Sequence, residues 1–176
     1  MRLSSLRHLI DSAQAISSCQ RIIILGSSAF LPLFPELGEQ HQILETSLDA
    51  DLVIDPCDEL TAQILQEAIG EGSLFSSQNG YYIDVLRVSI QETLPEGWQN
   101  RLQKLSGYAE VYFPDPYDLC LVKLRTGRDK DLQVVQHLVT LKKIEKKILR
   151  ERFDQTPYLE KEVLAIAERI EKLHSL

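Results

Sequence analysis

Residues 44–56 read LETSLDADLVIDP, and whether this stretch is strand or helix decides the fold. Asp49, Ala50, Asp51 and Leu52 alternate polar and apolar. A period of two is that of a β-strand, so Asp49 and Asp51 lie on one side and Ala50 and Leu52 on the other. Two carboxylates on one side repel each other, and solvent, a basic partner or a divalent cation can offset that repulsion. The plain alternative is an exposed strand end, where acidic side chains stay hydrated.

Upstream, RIIIL (21–25) is a short apolar, β-branched run that stops at Gly26 and predicts a buried strand, and HQILE (41–45) is another strand candidate. Before them Leu3, Leu6, Leu9 or Ile10, Ala13 and Ile16 recur at spacings of three and four, which predicts an amphipathic helix over residues 2–18. Downstream, CDELTAQILQEAIG (57–70) predicts a helix with Asp58 near its start and Gly70 at its end. Asn79-Gly80 is a turn signal, and Tyr82, Asp84, Leu86 and Val88 alternate with Ile83, Val85 and Arg87 as the clearest strand of the chain. YAEVYFP (108–114) predicts one more.

From Asp115 the period is helical, through Leu119, Val122 and Leu124, then Leu132, Val135, Leu138, Val139, Leu141, Ile144, Ile148 and Leu149. Thr156-Pro157 predicts the start of a last helix, with Thr as N-cap and Pro at the first helical position. The fold class is therefore α+β: a mixed β-sheet flanked by helices, then a C-terminal helical segment. No repeat or Gly/Ser linker divides the chain. The expected division is a core over 1–115 and a helical region over 116–176 packed on it as one unit.

The 176 residues are 44% hydrophobic and 26% charged, the profile of an ordinary globular domain. No apolar run reaches the roughly 18 residues of a membrane span, and His8 and Asp11 interrupt the first apolar stretch too early for a secretory signal, so a cytoplasmic protein is expected. Cys19, Cys57 and Cys120 are far apart in sequence with no CxxC pair, which indicates neither a disulfide framework nor a zinc site; each reads as a small core residue. The four histidines are scattered. A net charge of −7 argues against a surface that grips nucleic acid throughout. KKIEKKILRER (142–152) carries six positive residues against two glutamates, and reads as the solvated face of an amphipathic helix or, alternatively, as an acceptor-RNA or partner surface.

Three features can carry chemistry together. Gly26, Ser27 and Ser28 follow a buried strand and are expected to open a helix, where small residues and free backbone N–H groups receive a phosphate. Asp49 and Asp51 are the second feature. The third is Asp84, an aspartate between Ile83 and Val85 that needs compensation if buried. Carboxylates on neighbouring strands can hold one or two Mg²⁺ ions, hard cations that keep waters for substrate phosphates and clamp the attacking and leaving oxygens of phosphoryl transfer.

In this order the apolar-Gly-Ser turn, the Asp-x-Asp between apolar residues and the lone Asp on a later strand resemble the signature of the nucleotidyltransferase superfamily that includes DNA polymerase beta. The segment DLCLVKLRTGRDKDLQVVQHL (118–138) is similar to the helical part of the bacterial AbiEii-like toxin nucleotidyltransferases and their relatives. The resemblance implies a nucleotidyltransferase-like sheet and Mg²⁺ or Mn²⁺ held by Asp49, Asp51 and Asp84, with Asp84 helping to deprotonate the attacking hydroxyl. It implies a nucleotide such as ATP or another NTP, its phosphates on Gly26, Ser27 and Ser28. Lys123 would face the nucleotide, and Arg128, Lys130 and Asp131 would line or brace the cleft. The implied reaction moves an NMP from an NTP to a hydroxyl of RNA, protein or a small molecule, in one setting as a toxin paired with an antitoxin. The alternative is a catalytically inactive module of the same fold that binds nucleotide or a partner; a third reading is a hydrolase using the same carboxylates. Two departures from the pattern stand out: 23 positions separate Gly26 from Asp49, with Pro32 and Pro35 between, and no arginine stands shortly before the Asp-x-Asp, where LETSLDAD offers only Glu45, Thr46 and Ser47.

Overall fold

The computed structural model describes residues 1–174. They divide between two compact units, one made of Met1–Ile90 and Gln103–Phe113, the other of Gln91–Leu102 and the chain from Pro114 onward.

The first unit holds α1 (Leu3–Ile16), β1 (Arg21–Ile24), β2 (Asp49–Asp55), α2 (Glu59–Ile69), α3 (Leu74–Asn79), β3 (Tyr82–Val85), β4 (Gln103–Lys104) and β5 (Val111–Phe113). Its strands form one mixed sheet in the order β3-β2-β1-β5-β4. β1 pairs antiparallel with β2 and parallel with β5, β2 pairs parallel with β3, and β4 closes the far edge antiparallel to β5. The sheet with its helices is the α+β arrangement expected from the hydrophobic periods. The β2 alternation is real: Ala50, Leu52 and Ile54 are at most 1% exposed, while Asp49 and Asp51 on the other side are half-buried. α2 packs against β3 and against α1, covering the apolar side. Asp58 starts α2 by accepting a hydrogen bond from the Thr61 N–H at 2.8 Å.

Several expectations fail locally. HQILE is not a strand but a series of short turns: His41 is left-handed at φ 66°, its N–H donates to the Glu45 carboxylate at 2.7 Å, and Leu44 reaches back to the Leu37 carbonyl. These turns, with the Met1 amine donating to the Leu44 and Glu45 carbonyls, take up its backbone groups in place of a sheet partner. Gly26 opens only a three-residue 3₁₀ turn, Ser28–Phe30, and no α-helix. Asn79-Gly80 ends α3, with Gly80 as a left-handed cap, and β3 then joins β2 in parallel. The alternating run after Val85 passes into a 3₁₀ segment, Val88–Thr93. Of the cysteines only Cys120 is a core residue; Cys19 and Cys57 are half-buried.

The second unit is helical: α4 (Pro116–Thr126), α5 (Asp129–Thr140), α6 (Lys146–Asp154) and α7 (Glu160–Glu171), with α4 packed on the other three. Gln91–Leu102 joins it through Arg101, whose Nε donates to the fully buried Asp118 carboxylate at 2.8 Å, while Arg152 of α6 donates to the same carboxylate at 2.6 Å. Asp115 caps α4 by accepting from the Tyr117 N–H at 3.0 Å, and Pro116 stands in its first turn.

Thr156 does not cap α7. Its hydroxyl donates to the Arg152 carbonyl and its N–H to Phe153, which makes it the tail of α6, and Tyr158 stacks on Phe153 with centroids 5.5 Å apart. α7 begins only at Glu160, where the Glu162 carboxylate accepts from the Leu159 N–H. The basic run is likewise broken: Lys142 is left-handed at φ 56°, Leu141 is 43% exposed instead of facing a core, and α6 starts at Lys146. From Lys146 onward its positive charges are paired within the unit, Lys146 with Glu171, Lys147 with Glu151, Arg150 with Asp154 and Glu171, and Arg152 with Asp115 and Asp118.

Candidate functional site

The register of β2 and β3 sets the geometry of the acidic residues. Asp49 lies opposite Tyr82 and Asp51 opposite Asp84 in a parallel ladder. Residues opposite one another in a sheet point to the same face, about 4.8 Å apart across the strands, and residues two apart along a strand share that face too. Asp49, Asp51, Tyr82 and Asp84 therefore occupy one side of the sheet, with Asp51 and Asp84 as direct neighbours. Three carboxylates separated by up to 35 positions are brought together by a single strand pairing.

Tyr82 reports the resulting field. Its hydroxyl is pushed above the ordinary tyrosine range, first by partial burial and then by the negative charges of Glu71, Asp49, Asp84 and Asp51. Asp84 is exposed on the edge strand, Asp51 and Asp49 are half-buried, and the Ser47 hydroxyl donates to Asp49 at 3.4 Å.

Gly26 completes the group. β1 ends beside β2, where the Leu25 N–H donates to the Asp51 carbonyl at 2.8 Å, and Gly26 then turns in the left-handed region at φ 61°. A Cβ placed on Gly26 would overlap the Asp51 carboxylate. Only glycine allows the turn and the carboxylate to be this close. Ser27 follows in helical backbone geometry at the head of the 3₁₀ turn; Ser28 is buried, its hydroxyl directed to the Leu25 carbonyl at 3.3 Å.

The basic residues expected at the site lie in the second unit. Lys123 is 6% exposed and its Nζ donates to Asp131 at 2.6 Å; Arg128 Nε donates to the other oxygen of Asp131 at 2.6 Å. Burial alone would raise Asp131, but hydrogen bonds from Arg128 and Lys123 outweigh it and hold the carboxyl below its usual range. The structure thus joins Lys123, Arg128 and Asp131 in one network and leaves Lys130 exposed. Asp131 is buried and turned to Lys123 and Arg128, not to the adjacent Lys130. The i+8 spacing across the Gly127 break hid its pairing with Lys123, although the flanking Cys120 and Leu124 marked that side of α4 as core. Arg125 pairs with Glu162 at 3.0 Å.

Among the described residues no three His, Cys, Asp or Glu side chains close into a ready-made cation cage. The donor set is nonetheless one of hard carboxylate oxygens, which suits Mg²⁺: that ion takes one or two protein carboxylates and keeps several waters. No helix among the described residues is long and apolar enough to cross a membrane.

A family model described as a nucleotidyltransferase of unknown function (DUF6036) matches residues 2–169. No curated protein and no solved structure matches the chain.

Proposed function

The chain belongs to this nucleotidyltransferase family, and we propose that it transfers an NMP from an NTP to a hydroxyl acceptor with release of pyrophosphate, in a reaction dependent on Mg²⁺ or Mn²⁺. The observation that carries this reading is the placement of Asp51 beside Asp84 on parallel strands, with the Gly26 turn against the Asp51 carboxylate. Asp49, Asp51 and Asp84 would hold the metal, which when bound supplies charge neutralisation for the phosphates and the departing pyrophosphate. The left-handed turn at Gly26 and Ser27 offers backbone N–H groups and a hydroxyl to phosphate oxygens without a side chain in the way. An oxygen of the exposed Asp84 carboxylate accepts the proton of the acceptor hydroxyl as its oxygen bonds to the α-phosphorus. The bond to the β-phosphate breaks and pyrophosphate leaves with that electron pair. Catalysis then rests on positioning and on developing charge.

Within the second unit, Lys123 and Arg128 support this reading as a brace: with both cations held on Asp131, α4 and α5 stay fixed, and Lys130 stays exposed and available to a nucleotide or acceptor. The acceptor we propose is a hydroxyl of RNA, protein or a small molecule, with a toxin–antitoxin setting as one biological context.

The test is transfer of label from α-labelled NTPs to total RNA and to the protein itself, with Mg²⁺, Mn²⁺ or chelator. Labelled acceptor formed only with metal, and lowered about 10²-fold or more in Asp51→Asn and Asp84→Asn, is the expected result. Metal-independent nucleotide binding without transfer would identify a binding module instead. Phosphate release with no labelled acceptor would identify a hydrolase.

A further inference from the structure

Four side chains share the acidic side of β2 and β3, and one of them carries no charge. Asp49 and Asp51 stand on β2, Tyr82 and Asp84 on β3, with Tyr82 opposite Asp49 and two residues ahead of Asp84. Ile83 between them is fully buried on the other side of the sheet, which fixes the direction of its two neighbours. Hard divalent cations take carboxylates, carbonyl oxygens and waters, so the neutral phenol of Tyr82 does not belong to a metal-holding set. It is half-buried beside the three carboxylates and is left to face an organic group.

The order of the strands says which substrate that ring faces. The Gly26 turn follows β1 and lies against the Asp51 carboxylate, while β3 flanks β2 on the opposite side as an edge strand. The phosphate-receiving turn and Asp84 therefore stand on either side of the strand that carries Asp49 and Asp51. In phosphoryl transfer the attacking and leaving oxygens lie roughly in line through the phosphorus. With the phosphates on the β1 side, pyrophosphate departs there and the acceptor arrives on the β3 side, where Tyr82 is the neighbour of Asp84. We infer that Tyr82 is an acceptor-binding residue: its ring packs against the acceptor and holds the attacking hydroxyl at the Asp84 carboxylate, without contact to the NTP. The inference rests on the nucleotidyl-transfer reading and adds to it a side of approach and a residue that receives the acceptor.

The experiment compares Tyr82→Phe, Tyr82→Leu and Tyr82→Thr with the unsubstituted full chain. Calorimetry reads the binding of a non-hydrolysable NTP with Mg²⁺. Transfer from an α-labelled NTP is followed over a range of concentrations of the fraction that takes the label, whether total RNA, total protein or a small-molecule extract. Tyr82→Leu and Tyr82→Thr are expected to bind the NTP within about twofold of the unsubstituted chain, yet to transfer about tenfold more slowly at low acceptor, with the acceptor KM raised and the NTP KM unchanged. Tyr82→Phe keeps the ring and is expected to restore transfer to within about threefold. A cooperative urea transition establishes that each variant folds, and either ringless variant suffices for the comparison. Transfer by a folded ringless variant equal to that of the unsubstituted chain, a loss that appears in NTP binding, or a Tyr82→Phe as slow as the ringless variants would overturn the inference and leave the transfer reading standing. No labelled product from the unsubstituted chain in any fraction would overturn both.

Discussion

At the scale of single residues, Gly26 is the position with least tolerance. Gly26→Ala forces a side chain into left-handed backbone, a cost of about 1–2 kcal/mol, and into the Asp51 carboxylate as well. A lower urea midpoint with an unchanged slope, together with weakened transfer, is the expected result. Lys123 and Asp131 make a buried pair, with side chains 7% and 3% exposed. Lys123→Met leaves the Asp131 carboxylate with Arg128 alone and is expected to cost about 3–5 kcal/mol, much of it regained in the double variant Lys123→Met/Asp131→Leu. The same pair sets an acid limb. Asp131 is lowered in the folded state, so its contribution is present above the ordinary carboxylate pKa and fades as pH falls through the folded value. Urea unfolding between about pH 5 and pH 2 should therefore be flatter in the double variant. The sequence made the three acidic residues legible, because an aspartate in a strand period has few plain explanations. The close approach of Gly26 to Asp51 was not legible, since strand register is set by partners far away in the chain.

At the scale of elements, periodicity located most of the helices and strands but not their ends, and it placed a strand at HQILE where the chain turns. Thr156-Pro157 carries the residue types of a helix start, yet Phe153 draws Tyr158 into a stack and the Thr156 hydroxyl bonds back to Arg152, so tertiary packing overrides the capping preference. The short strands β4 and β5 have two and three residues, too few for a period to be read, and only the apolar YAEVYFP run announced the second. Helix ends are also where long-range side chains intervene. Arg169 of α7 donates to the Leu124 and Arg125 carbonyls at the C-terminus of α4, groups that α4 itself leaves without partners. Arg169→Met keeps most of the apolar stem but returns those carbonyls to the solvent or leaves them unpaired. A loss of about 1–3 kcal/mol in urea unfolding, with faster amide exchange in the last turn of α4, is the expected outcome.

At the scale of the whole molecule, the division of labour differs from the one the sequence suggested. Composition and period change at Asp115, but residues 91–102, which precede the last two strands, belong to the helical unit. Nothing local marks them: Leu94 and Trp98 are buried, yet they stand in a Pro- and Gly-containing segment without a regular period. A fragment ending at Phe113 keeps every strand of the sheet while Leu94 and Trp98 lose the helices of their own unit, so it is expected to bind a hydrophobic dye and to aggregate where the full chain does not. The same arrangement bears on biosynthesis. As the chain emerges from the ribosome, the strand that closes the sheet arrives only after Leu94 and Trp98, and the helices those two residues join are translated later still. For that interval the tryptophan stays unsheltered although every strand has been made, a natural target for a chaperone and a point where slowed translation would be felt first.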